Sequence, residues 1–173
     1  MQRYLLSLVA FLFTFCFISH AYALEGDWEA GGDVTAVLMP SRDIYGGGAD
    51  VYARYHVIDG LGVGGGIGLY GVHSDRIDKS FALFNLRVGA VYSIDIIEWV
   101  PSFGVHLSSL FSGNDHYKWH RRGHGLGLDL DLIVQYRGIP QIGIGAFFRY
   151  HIIFTDNDYM TLGICISWYS GIF

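Results

Sequence analysis

From residue 27 to the end of the chain, large apolar side chains alternate with small or polar ones in eight successive blocks. A period of two places each set on one face of a strand. The blocks are Asp27–Leu38, Gly47–His56, Leu61–Val72, Phe81–Ile94, Val100–Phe111, His124–Arg137, Ile142–Ile153 and Tyr159–Phe173. Most run ten to fourteen residues. Strands of soluble proteins average about 5–6 residues, and a tilted strand crossing a bilayer needs about 9–11. The last block, which includes Leu162-Gly163-Ile164-Cys165-Ile166-Ser167-Trp168, carries no charged side chain. Left alone, a strand wet on one face and greasy on the other has an edge that templates aggregation. Eight of them closing on one another remove the edge, so the expected fold is all-β: an eight-stranded antiparallel up-and-down transmembrane β-barrel.

Parity separates the faces. Leu126, Leu128, Leu130, Leu132, Val134 and Tyr136 fall on one side of the sixth block, with Asp129, Asp131 and Gln135 on the other. In the fourth, Phe84, Leu86, Val88, Ala90 and Tyr92 oppose Asn85, Arg87 and Ser93; in the second, Val51, Ala53 and Tyr55 oppose Asp50, Tyr52, Arg54 and His56. A soluble sandwich would show the same alternation with its greasy side inward, so the aromatic residues decide. The connections alternate between polar, mostly long segments (39–43, 73–80, 112–123, 155–158) and tight turns at Asp59-Gly60, Asp95–Glu98 and Gly138–Gln141. Short turns on one side and longer loops on the other suit an outer-membrane barrel with both termini periplasmic. At the short-turn ends, the apolar parity brings Trp28, Tyr55, Tyr92, Trp99, Tyr136 and Trp168 to one height. Trp and Tyr favour the lipid headgroup zone, where the ring is half in hydrocarbon and the polar tip stays wet. Phe84, Phe111 and Tyr150 form a looser ring at the other end.

The first 23 residues read as a cleaved secretory signal peptide, with Arg3 before an apolar run from Tyr4 to Ile18 and a small-x-small triplet at Ala21-Tyr22-Ala23. The barrel domain is then 24–173, with ten basic against sixteen acidic residues. That balance argues against nucleic acid as a partner, which a basic stripe would announce. Cys165 is the sole cysteine of that domain, so it forms no disulfide within it.

With these strands, the aromatic ring and the terminal Phe173 in view, the chain resembles the small eight-stranded outer-membrane barrels: the OmpA-type membrane domain and the OmpX- and OmpW-like proteins. The resemblance covers residues 24–173, its local marks being Tyr92 to Leu107, with Trp99-Val100-Pro101, and the aromatic last strand. It implies a cell outer-membrane location and a transient partner, the barrel-assembly machinery that reads such a strand. The usual aromatic residue two before the final Phe is absent, since Gly171 stands there, and a bulge near Ser170-Gly171 would restore the register.

The inward parity collects Glu29, Asp33, Asp50, Asp129 and Asp131 with Arg54, Arg87 and Arg149. Eight strands leave an interior just wide enough for side chains, so these charges are expected to form a paired lumen network with no continuous pore. Gly62, Gly64, Gly66 and Gly68 would make room for neighbouring arginines. The expected role is non-enzymatic, a structural or surface-interaction barrel acting through its extracellular loops as a monomer, without cofactor or metal. A narrow channel for small solutes, OmpW-like, is the alternative. A lipid A-modifying enzyme is third: His106-Leu107-Ser108 has a suggestive spacing, but both side chains fall on the lumen parity. In the longest loop, Lys118, Arg121 and Arg122 lie just above the outer ring, where lipopolysaccharide phosphates would be met. His116, His120 and His124 recur every four residues, yet no helix gathers them into a metal face.

Overall fold

The computed structural model describes residues 26–58, 60–113, 124–139, 141–154 and 158–170. Eight strands follow in order: β1 (Trp28–Met39), β2 (Ile44–Ile58), β3 (Leu61–Ser74), β4 (Lys79–Ser93), β5 (Trp99–Ser112), β6 (His124–Ile139), β7 (Ile142–Ile153) and β8 (Tyr159–Tyr169). Each pairs antiparallel with its neighbours, and β1 pairs with β8 from Glu29↔Tyr169 to Leu38↔Met160, so the sheet is a closed up-and-down barrel. A serine clasps the seam: Trp28 N–H donates to Ser170 Oγ at 2.9 Å.

The strands match the alternating blocks in number, order and pairing. They outrun them where cross-strand partners extend the ladder into the loop side. β2 starts at Ile44 and β4 at Lys79 because β2–β3 and β3–β4 keep pairing to Ile44↔Ser74 and Ser74↔Lys79. A phenol hydrogen bond, Tyr45 to Asp75 at 3.1 Å, holds that corner. At the other end the register slips by one residue in β2 between His56 and Ile58, and β6 is likewise irregular between Tyr136 and Ile139. Such irregularities bend the strand and increase its twist.

The turns show their chemistry. Gly60 has φ 73°, the left-handed value that a tight hairpin needs, whereas Ile97 takes φ 60° in the two-residue loop closed by the Ile96–Trp99 bridge. Glycine is at home in the first case; a β-branched residue is strained in the second. In the same turn, burial raises the Asp95 carboxyl above its ordinary range, with the charges of Arg137 and His56 pulling it down.

The outward face is apolar and exposed along every strand, for example Val34, Val51, Leu69, Val88, Leu107, Leu126 and Ile164, the last at 68%. The inward face holds Glu29, Asp50, Asp129 and Arg149 at 2% exposure or less. This inverts the pattern of a water-soluble protein, in which charges are almost never fully buried unless paired.

Candidate functional site

The enclosed lumen collects most of the titratable residues of the strands, in tiers fixed by inward parity. At the short-turn end, Glu29 of β1 is surrounded by groups from β2. Arg54 Nε and His56 Nε2 each lie 3.4 Å from its Oε2, and the Tyr52 hydroxyl is 3.5 Å from its Oε1. Beside them Gln135 of β6 donates to Ser167 of β8 at 2.9 Å and accepts from the Tyr169 hydroxyl at 2.9 Å. The Arg137 guanidinium lies 4.3 Å from the Tyr169 ring centroid and reaches Asp95 at 3.5 Å.

The middle tier is carried by two arginines. Arg87 of β4 donates to Asp50 Oδ1 at 2.7 Å, which also accepts from Tyr70 at 2.9 Å. Arg149 of β7 donates to Asp131 at 2.7 Å and stands 3.7 Å from Asp50 and 3.9 Å from Asp33. Asp33 and Asp50 are direct cross-strand partners, so two carboxylates share one height and both guanidiniums sit between them and the far wall. His106 approaches Asp131 at 3.6 Å. Glycines on β3 admit this crowd. A β-carbon at Gly66 would sit 3.0 Å from Arg87 Nε, and one at Gly62 3.3 Å from Arg54 Cδ. Gly68 makes room for Asp50 and Tyr70 instead of an arginine. Among the described residues, a cavity of about 20 Å³ lies in this tier, lined by Asp33, Arg54, Arg87, His106, Asp131 and Arg149, which is room for about one water.

The loop-side tier contains a hydroxyl–imidazole–carboxylate relay. His151 Nδ1 meets Asp129 Oδ1 at 2.8 Å, and its Nε2 meets Thr161 Oγ1 at 3.1 Å. A carboxylate only accepts, so Nδ1 carries the proton, and with the imidazole neutral the Thr161 hydroxyl donates to Nε2. Ser108 also donates to Asp129, at 2.6 Å. The order resembles that of an activated nucleophile, but Thr161 and Asp129 are fully buried and the Tyr159 ring lies parallel on His151 with centroids 3.8 Å apart. The Thr161 hydroxyl is thus enclosed, with no exposed surface. His106 and Ser108 do not act together, since His106 faces Asp131 and Ser108 faces Asp129.

Above this tier the lumen changes character. Met39, Ile44, Val72, Leu83, Leu110 and Ile153 pack with Val37 and the rings of Tyr70 and Tyr159 into a buried apolar plug. The sequence analysis expects charged, polar and small residues inside and does not foresee this cap. Parity carries the signal, because Val37 and Met39 continue the series Glu29, Asp33, Thr35. It also missed His151, Tyr70, Tyr159, Thr161 and Tyr169, each of inward parity.

Glu29, Asp33, Asp50, Arg54, Arg87, Asp129, Asp131 and Arg149 are all buried inside the barrel. Trp28, Tyr55, Tyr92, Trp99, Tyr136 and Trp168 all point outward, Trp28 against Tyr55 and Trp99 against Tyr136 with ring centroids 5.3 Å apart in each pair. Lys118, Arg121, Arg122, His116 and His120 lie outside the described residues, as does the expected bulge at Gly171; His124 begins β6 opposite Phe111.

Closure, eight strands and an outward greasy face are shared with solved proteins. The chain superposes on neisserial surface protein A with TM-score 0.60 at 16% identity, covering 82% of this chain and 95% of that one. The fold is that of the small eight-stranded outer-membrane barrels. OprG of Pseudomonas aeruginosa follows with TM-score 0.55 at 12% identity, over 84% of this chain and 96% of that one. Ail, the attachment invasion locus protein of Yersinia pestis, gives 0.53 at 14% identity over 84% and 99%. No family profile and no curated protein matches the sequence.

Proposed function

We propose that this chain is a non-enzymatic outer-membrane barrel with a closed lumen, both termini on the periplasmic side, acting in the envelope through its outer loops. The observation that carries the reading is the inversion of faces: exposed hydrocarbon all round the outside, ionised groups sealed within. In water that arrangement would expose a continuous apolar belt, far beyond the few hundred Å² a soluble monomer tolerates. In a bilayer it satisfies both phases.

The lumen then serves as a strut. Charges enclosed at this depth are tolerable only when paired and hydrogen-bonded; the Arg87–Asp50 and Arg149–Asp131 hydrogen bonds meet that condition, while Asp33 is held at 3.9 Å by both guanidiniums without a hydrogen bond from either. The buried apolar cluster at the loop side disfavours passage of ions, so structural or surface interaction is favoured over a solute channel. The burial of Thr161 and the stacking of Tyr159 favour a non-catalytic role over lipid A modification.

Surface interaction would fall to the outer loops. Lys118, Arg121 and Arg122 together offer the chemistry that binds a phosphate or sulfate cluster, including lipopolysaccharide. Ail has been solved with the heparin analogue sucrose octasulfate, a polyanion of the kind such a basic run would take. The uncharged last strand suits recognition by an assembly machinery during biogenesis. Reconstitution in a planar lipid bilayer tests the core of the reading. Insertion without steady conductance is expected. Steady openings would overturn the closed lumen, and a compact monomer obtained without detergent would overturn the membrane location.

A further inference from the structure

Beyond the aromatic ring, each of the three short turns carries exposed isoleucine. Ile58 ends β2 and Ile139 ends β6, each at the edge of its turn, and Ile96 and Ile97 lie between β4 and β5, with exposures of 55%, 44%, 51% and 96% in that order. Ile97 is the most telling. Its φ of 60° lies in the left-handed region, which is least comfortable for a β-branched residue, at a turn position where glycine is favoured. Its side chain packs against almost nothing in the molecule. Backbone preference and internal burial therefore both oppose isoleucine here, and a backbone outlier of this kind points to a role.

Two features identify what the side chains meet. The tips are spread round the barrel, one turn after every second strand, so they do not build a single docking face for a protein approaching from one side. They suit a plane that surrounds the barrel. Height agrees. Ile97 is two residues past Trp99, and at about 3.3 Å per residue with a strand tilt near 40° that is about 5 Å along the barrel axis. The polar zone between hydrocarbon and water is about 5–7 Å deep on each side of a bilayer. With Trp28, Trp99 and Trp168 at its inner edge, the isoleucines still lie within it.

We infer that Ile58, Ile96, Ile97 and Ile139 form an apolar collar seated in the lipid headgroup zone at the short-turn end, fixing how deep the barrel sits. The inference rests on the membrane location proposed above and adds the depth of one rim. Nearby charge does not oppose it, because Asp95 is tied to Arg137 at 3.5 Å and the Glu98 carboxylate accepts from the Tyr136 phenol of the aromatic ring.

The test places a nitroxide on one introduced cysteine at a time in the barrel of residues 24–173, which lacks Cys16, reconstituted in vesicles of phosphatidylethanolamine and phosphatidylglycerol. The substitutions are Ile58→Cys, Ile97→Cys, Ile139→Cys, Val88→Cys on the outward face and Asp78→Cys in an outer loop, where the side chain is 98% exposed. Cys165 is buried, so the unsubstituted protein serves as the labelling blank. Collision with oxygen is compared with collision with a water-soluble nickel chelate. The three collar positions should favour oxygen severalfold more than position 78 and agree with one another, with position 88 deepest. If position 88 is deep but the collar positions are as open to nickel as position 78, the collar is wrong and the membrane location stands. One collar position in lipid and two in water would also overturn it. If position 88 itself is aqueous, the membrane location fails first.

Discussion

Removing one guanidinium from the lumen puts the charge pairing to the test. Arg149 is 2% exposed and bonds Asp131 at 2.7 Å, with Asp50 and Asp33 at 3.7 and 3.9 Å. In Arg149→Met, Asp50 keeps Arg87 at 2.7 Å and Asp33 keeps it at 3.9 Å, but among the described residues the ion pair left to Asp131 is His106 at 3.6 Å. Breaking a buried pair by deleting one partner costs about 3–5 kcal/mol, since the remaining charge is enclosed and uncompensated. Replacing both partners with apolar groups of similar shape is often close to neutral. Arg149→Met combined with Asp131→Leu should therefore recover most of the loss, to within about 1 kcal/mol of the unaltered protein by the same reasoning. The assay is reversible denaturant unfolding in detergent micelles, followed by tryptophan fluorescence, with all three variants at one ionic strength. Surface pairs are worth only about 0–1 kcal/mol, so a single-variant loss in that range would refute the enclosed network. A double variant no more stable than the single would refute it as well, because the cost would then be one of packing alone.

Other substitutions probe other parts. Val88→Lys, on the outward face near the middle of β4, should cost about 2–4 kcal/mol in lipid vesicles if that site lies near the bilayer midplane; unchanged unfolding there would contradict the outward greasy face. Leu83→Ala in the plug should cost about 2–5 kcal/mol, as a cavity in a well-packed cluster does, and a loss below about 1 kcal/mol would show the plug to be loosely packed. Ile97→Gly relieves a strained φ and should gain about 1 kcal/mol in micelles, measured by the same unfolding; destabilisation would mean that the turn is unstrained. Asp95 supplies a pH test. Its carboxyl is raised above its ordinary range, so its stabilising contribution is full below the unfolded-state pKa and is lost as pH rises through the folded-state value. Asp95→Asn should match the unaltered protein at acid pH and equal or exceed it at neutral pH; the reverse trend would refute the burial argument.

Much of this molecule was legible in the residues alone. Side chains of a strand alternate by covalent geometry, so eight alternating blocks foretold eight strands and divided their faces before any contact was known. The same parity put Glu29, Asp50, Arg87, Asp129 and Arg149 on one side and Trp28, Tyr92 and Trp99 on the other. It also carried Val37 and Met39 inward, a continuation that the expectation of a wholly polar lumen passed over.

What parity cannot give is partnership. Arg87 meets Asp50 across 37 positions of chain, and Arg149 bridges Asp131 to Asp33 only because β8 closes back onto β1 with a particular stagger. The relay of Asp129, His151 and Thr161 takes one residue from each of three strands, and its isolation depends on a tyrosine ring laid over the imidazole. Those relations follow from the stagger between strands and from packing inside a narrow cylinder. The turn of Ile97 into left-handed backbone is likewise set by hairpin closure, against the residue's own preference. Local covalent geometry determined which way each side chain points, and closure of the barrel decided which of them touch.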